Sequence, residues 1–205
     1  MNILVGDAKE ISYGGAQEWF SSKRLQGYGC GVIACANILI SKCIDRPVGK
    51  PMDREDYLKL ANRLQNFYLP VIPRHGINGI FLALGMNLYF LIHRIPYRAF
   101  WGISSKKRDL RIEEMLKRGI PVCFSVGPNF PNLYGKHRLT FYRKQGENYV
   151  PDLEMKSHYV SVTAMDGEWY EISTWGRRMY INRREYAEYV RKYSCSLLSN
   201  VLVVR

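Results

Sequence analysis

Residues 30–40, which begin at Cys30 and end at Ile40, are apolar at nearly every position. A run this long and Ala-rich predicts a helix buried in the middle of a domain rather than a strand. Asp53 then stands as the N-cap of an amphipathic pattern that reaches Phe67, with Tyr57, Leu60, Ala61 and Leu64 on its inner face. A third helix is predicted after Asn78. The apolar stretch around it, Ile77 to Ile95, is broken by Asn78, Gly79, Gly85, Asn87 and His93, which suits a buried helix and not a membrane span.

The pattern changes character after residue 108. Arg108 to Lys117 predicts a short helix stopped at Gly119, and Ile120 to Val126 a buried strand entered through Pro121. Residues 127–157 form a long polar insertion with turn signals at Pro128-Asn129, Pro131-Asn132 and Gly146, and room for a hairpin of their own. His158 to Met165 and Glu168 to Thr174 alternate as two strands joined at Asp166-Gly167. Tyr180-Ile181, a helix near Arg184 to Tyr193 and a last strand from Asn200 to Val204 complete the chain. Helices first and antiparallel strands second predict an α+β fold. No repeat, low-complexity tract or linker divides it, so residues 1–205 are read as a single domain.

Composition adds limits. With 205 residues and 47% hydrophobic content, the chain has enough apolar material for one well-filled core. The apolar run after Met1 is broken at Gly6 and Asp7, so no secretory signal is read and a cytoplasmic location is expected. Five cysteines, Cys30, Cys35, Cys43, Cys123 and Cys195, are an odd number without a CxxC pair, which argues for free thiols and against structural zinc. The net charge of +12 predicts affinity for acidic partner surfaces. Nucleic acid is not the expected partner, since no recognised binding motif accompanies the charge.

Cys30 is the first candidate for chemistry. It follows Tyr28-Gly29 and opens the buried helix, where free amide groups and the helix dipole favour a thiolate and lower the thiol pKa. The other four cysteines read as structural. A thiol nucleophile needs a base that later acts as an acid. Of four histidines, His158 is the best placed, at the start of an alternating strand. A two-residue turn at Asp166-Gly167 would pair Val160 with Ser173 and His158 with Trp175, which puts Ser173 and Trp175 on the His158 face and points Thr174 away. Ser173 would then orient the imidazole while Trp175 excludes water. Gln26, four positions before Cys30, is the candidate oxyanion donor beside the Cys30 amide. His75 lies in a loop, and His93 and His137 have no supporting context.

These features resemble the papain-like cysteine peptidases, and more closely the compact bacterial branch that includes the bacteriocin-leader (double-glycine) peptidases. The matching pieces are Gln26 ahead of Cys30-Gly31 on a buried helix, the Gly119 to Val122 strand, His158 to Thr163 as the histidine strand, and Ser173-Thr174-Trp175-Gly176 where the family has Asn-Ser-Trp-Gly or Asp-Pro-Trp-Gly. Together they span residues 22–182. The resemblance implies a papain-like fold, with a central N-terminal helix packed on a C-terminal antiparallel sheet. It also implies a thiol protease in which Cys30 is the nucleophile, His158 the base, Gln26 the oxyanion donor and Ser173 the orienting group. The chain departs from the family in a shorter Gln to Cys spacing and in a hydroxyl at the orienting position. The activity implied is hydrolysis of a peptide or amide bond in a peptide or protein substrate, without a cofactor. An acyl transferase using the same pair, or a weakly active relative that binds peptides or an acidic partner, are the alternatives.

Overall fold

A computed structural model describes residues 1, 3–7, 10–43, 49–127 and 137–205. The turn signals at Pro128-Asn129 and Pro131-Asn132 lie outside the described residues. Two short strands, β1 (Leu4–Gly6) and β2 (Ile11–Tyr13), pair antiparallel at the start of the chain. A 3-10 turn (Gln17–Trp19), α1 (Lys23–Tyr28), α2 (Cys30–Lys42), α3 (Arg54–Phe67) and α4 (Gly79–Ile92) follow. The Asp53 carboxylate accepts from the amides of Glu55 and Asp56, as its predicted cap role requires, and Asn78 Oδ1 accepts from the amide of Phe81 at 3.0 Å and caps the helix predicted to follow it.

The second half of the chain supplies β3 (Ala99–Trp101), α5 (Arg108–Lys117), β4 (Val122–Val126), β5 (Leu139–Gln145), β6 (Asn148–Met155), β7 (His158–Asp166), β8 (Trp169–Thr174), β9 (Arg177–Asn182), α6 (Arg183–Tyr193) and β10 (Val201–Val204). These strands form one antiparallel sheet in the order β3-β10-β4-β7-β8-β9-β5-β6. The architecture among the described residues is thus mixed α+β, with six helices, this eight-stranded sheet and the small β1-β2 pair. The insertion 127–157 does carry its own hairpin, β5-β6, turned at Gly146-Glu147.

One continuous apolar cluster runs from Ile3 to Val204. At its centre lies α2, buried without interruption from Gly31 to Ile40 and packed against α3, β4 and β7. The prediction for α4 holds only on one side. Leu82, Met86, Tyr89 and Phe90 are buried, while Ile80, Phe81, Leu84, Leu88, Leu91 and Ile92 are exposed, because the fold places no element over that face among the described residues. Among the described residues no helix is long and apolar enough to cross a membrane.

Candidate active site

Cys30 is the first residue of α2, where the first amides of a helix have no intrahelical acceptor. The amides of Tyr159, Gly31 and Cys30 itself pull the thiol pKa down, and burial of the sulfur outweighs them and pushes it up. The depressed pKa expected from the helix start is therefore reversed: the thiol is protonated at rest, because desolvation costs the anion more than these amides return. Gly31 is what allows the helix start to lie under the neighbouring strand. A Cβ there would come within 3.1–3.3 Å of Ile77, Tyr159 and Leu82.

His158 opens β7 and is 6% exposed. Burial alone pushes its pKa from 6.5 down to about 3, so the imidazole is neutral. Its Nε2 lies 2.8 Å from Thr174 Oγ1, and the Trp175 indole stacks flat on the ring at 4.4 Å with 9° between the planes. Trp175 and Gly176 form the two-residue turn between β8 and β9, where Thr174 pairs with Arg177. Both have positive φ, 47° and 69°, the conformation of a type I′ hairpin turn. A tryptophan in the left-handed region costs about 1–2 kcal/mol. That strain is retained at the position which puts the indole over the imidazole.

The hydroxyl beside the imidazole is that of Thr174 and not the expected Ser173. The register explains the difference. The hairpin turn is Gly167-Glu168, so Asp166 pairs with Trp169, and a bulge at Thr163 then shifts the ladder so that Ser161 faces Ser173. A one-residue slip exchanges the faces of a strand. Ser173 Oγ instead donates to Tyr13 O at 2.5 Å, holding the N-terminal segment against the sheet.

Gln26 is also displaced from its expected role. It sits on α1 with its Nε2 donating to Phe20 O at 2.7 Å, which closes the α1 segment on itself and takes the amide away from Cys30. The glutamine at the site is Gln17. It lines a narrow cleft with Cys30, His158, Thr174 and Trp175, its Nε2 donates to Gln26 O at 2.6 Å, and its Oε1 is buried with no partner. Only one Nε2 hydrogen is used by Gln26 O, so a second remains to donate. Asn37, two turns along α2 from Cys30, is buried and organises the floor of the cleft. Its Oδ1 accepts from the Gly15 amide at 3.1 Å and the Tyr57 hydroxyl at 2.9 Å, and its Nδ2 donates to Ser161 Oγ at 3.0 Å. A polar residue in the middle of an apolar helix was the available signal for it.

A cavity of about 400 Å³ opens in front of these groups, with Cys30 and His158 both in its wall. No hydrogen bond joins the Cys30 sulfur to the imidazole. Tyr28, His75, Gly76 and Ile77 form one side, and the rim carries Arg74, Arg138 and Lys156 against one carboxylate, Glu154. His93 and His137 are not among its lining residues; His93 packs at a tilt against Tyr89 and His137 stacks on Tyr193. Cys35 and Cys123 are buried in the core. Among the described residues no three His, Cys, Asp or Glu side chains are grouped to hold a metal ion. Comparison of the chain with protein-family models, curated proteins and solved structures finds no match.

Proposed function

We propose that the chain is a cysteine-dependent hydrolase of peptide or amide bonds with a papain-like arrangement. Cys30 is the nucleophile, His158 the general base and acid, and Thr174 the group that orients the ring. The observation that carries this reading is the common cavity of Cys30 and His158, with the imidazole held at Nε2 by Thr174 and covered by Trp175. Nδ1 is then the nitrogen left to serve the thiol.

In this reading both partners rest neutral, as burial favours. When a substrate carbonyl enters, His158 takes the thiol proton as the sulfur bonds to the carbonyl carbon. The Cys30 amide and the second Nε2 hydrogen of Gln17 supply charge stabilisation at the developing oxyanion. Collapse breaks the C–N bond, and His158 returns the proton to the leaving amine. Water, deprotonated by His158, then cleaves the thioester and restores the thiol. The cationic rim of Arg74, Arg138 and Lys156 favours peptides with acidic residues beside the scissile bond.

The raised thiol pKa and the absent sulfur–imidazole hydrogen bond favour a second reading, a peptide-binding relative with little turnover. Digestion of an acidic peptide library, followed by mass spectrometry, separates the two. The proposal expects fragments with the wild-type chain and none with Cys30→Ala. Absence of cleavage by the wild type, or cleavage that persists in Cys30→Ala, would contradict it.

A further inference from the structure

The exposed residues of α4 occupy one stripe. Ile80, Phe81, Leu84, Leu88, Leu91 and Ile92 recur at helical spacing, and Leu91 is 76% and Leu84 59% exposed. An apolar face this continuous on a helix surface marks an interaction site. It extends onto Phe100 of β3, which Asn87 ties to α4 through paired hydrogen bonds with the Ala99 backbone at 2.7 and 2.8 Å.

Charge identifies what suits this face. From Tyr57 to Arg108 the sequence holds eight Lys or Arg residues and no Asp or Glu. Arg74 stands on the turn whose Ile72, His75 and Gly76 share a groove with Phe81, at the N-terminal end of the helix. Arg94 follows the helix directly, and Arg98 shares a second groove with Leu91 and Phe100. The stripe therefore has cations at both ends and no carboxylate in its own segment. Two copies placed face to face would oppose these like-charged ends, with +12 on each chain.

We propose that the outer face of α4 docks on an anionic lipid bilayer, with Leu and Phe side chains among the acyl chains and Arg74, Arg94 and Arg98 at the phosphate level. The apolar stripe itself takes no part in the hydrolase reading, but Arg74 also belongs to the rim of the Cys30 cavity, and His75, Gly76 and Ile77 wall both that cavity and the α4 groove, so the two features adjoin.

Co-sedimentation of the full chain with phosphatidylcholine vesicles, with and without about 30% phosphatidylserine, tests it. The proposal expects binding to the anionic vesicles that weakens as salt is raised, and little binding to pure phosphatidylcholine. Leu84→Glu/Leu91→Glu, confined to exposed positions, should lower partitioning at least about tenfold with unchanged Tm. Arg94→Gln/Arg98→Gln, which leaves the apolar stripe intact, should lower binding to the anionic vesicles alone. Equal binding to both vesicle types, or full binding by both double variants, would overturn the proposal. So would a failure to bind together with a dimer that Leu84→Glu/Leu91→Glu dissociates, which would assign the face to a second copy.

Discussion

Two helices of this chain, α2 and α4, are written in the same apolar alphabet and meet opposite fates. α2 is enclosed by α3, β4 and β7 over its whole middle, whereas α4 is covered on one side only. A helix that is apolar all round satisfies its surface by burial or by a partner, and its composition does not say which. The difference lies in where each falls relative to the sheet. At the half-buried start of α2, packing removes the Cys30 sulfur and the His158 imidazole from enough water that each favours its neutral form.

The contrast breaks most sharply under truncation. Leu39→Ala, deep in α2, is expected to cost about 2–5 kcal/mol in urea denaturation, while Leu84→Ala on the outer face of α4 is expected to stay within about 0.5 kcal/mol. Equal losses would show that α4 is enclosed as well. Next comes Asn37→Leu, which takes the acceptor from the Gly15 amide and the donor from Ser161 Oγ, while the Tyr57 hydroxyl keeps Ile33 O; it is expected to cost about 1–3 kcal/mol for each buried group left unpaired.

Acid acts on the enclosed region in a predictable direction. His158 is protonated in the unfolded chain below 6.5 and in the folded chain only near 3, so the unfolded state binds the extra proton across that interval. Stability is expected to fall by at most about 1.4 kcal/mol per pH unit from this group as pH drops through the interval, and to level off below it. His158→Gln should flatten that part of the profile in pH-dependent urea titrations. A profile unchanged by the substitution would mean that the imidazole is solvated.

The smallest effects separate the two hydroxyls. Thr174→Val is expected to lower kcat about tenfold, with the fold intact, because Nε2 loses its partner. Ser173→Ala should leave kcat unchanged and cost about 1 kcal/mol of stability through the lost bond to Tyr13 O. The reverse pattern would restore the register expected from the sequence.

Much of this architecture was legible in the sequence. The enclosed helix, the cap at Asp53, the helix after Asn78, the strand beginning at His158 and the hairpin in the insertion all follow from local pattern, because each is specified by residues adjacent in the chain. What was not legible depends on tertiary placement. The bulge at Thr163 leaves the alternation of β7 intact on paper yet exchanges Ser173 for Thr174 at the imidazole. Gln17 reaches the cleft only because the 3-10 turn and α1 fold the chain back toward α2, so its distance in sequence from Cys30 concealed it. The strands β1, β2 and β3 have three residues each, too few to show a period. The open side of α4 is set by what the rest of the fold leaves uncovered.

The central claim is that Cys30 attacks with His158 as its base. Intact-mass measurement of the chain after brief reaction with an activated acyl donor, followed by peptide mapping, tests it directly. One acyl group is expected on Cys30, formed about 100-fold or more slowly in His158→Ala and absent from that position in Cys30→Ala. An adduct on another cysteine, or formation on Cys30 at the same rate without the imidazole, would contradict the account.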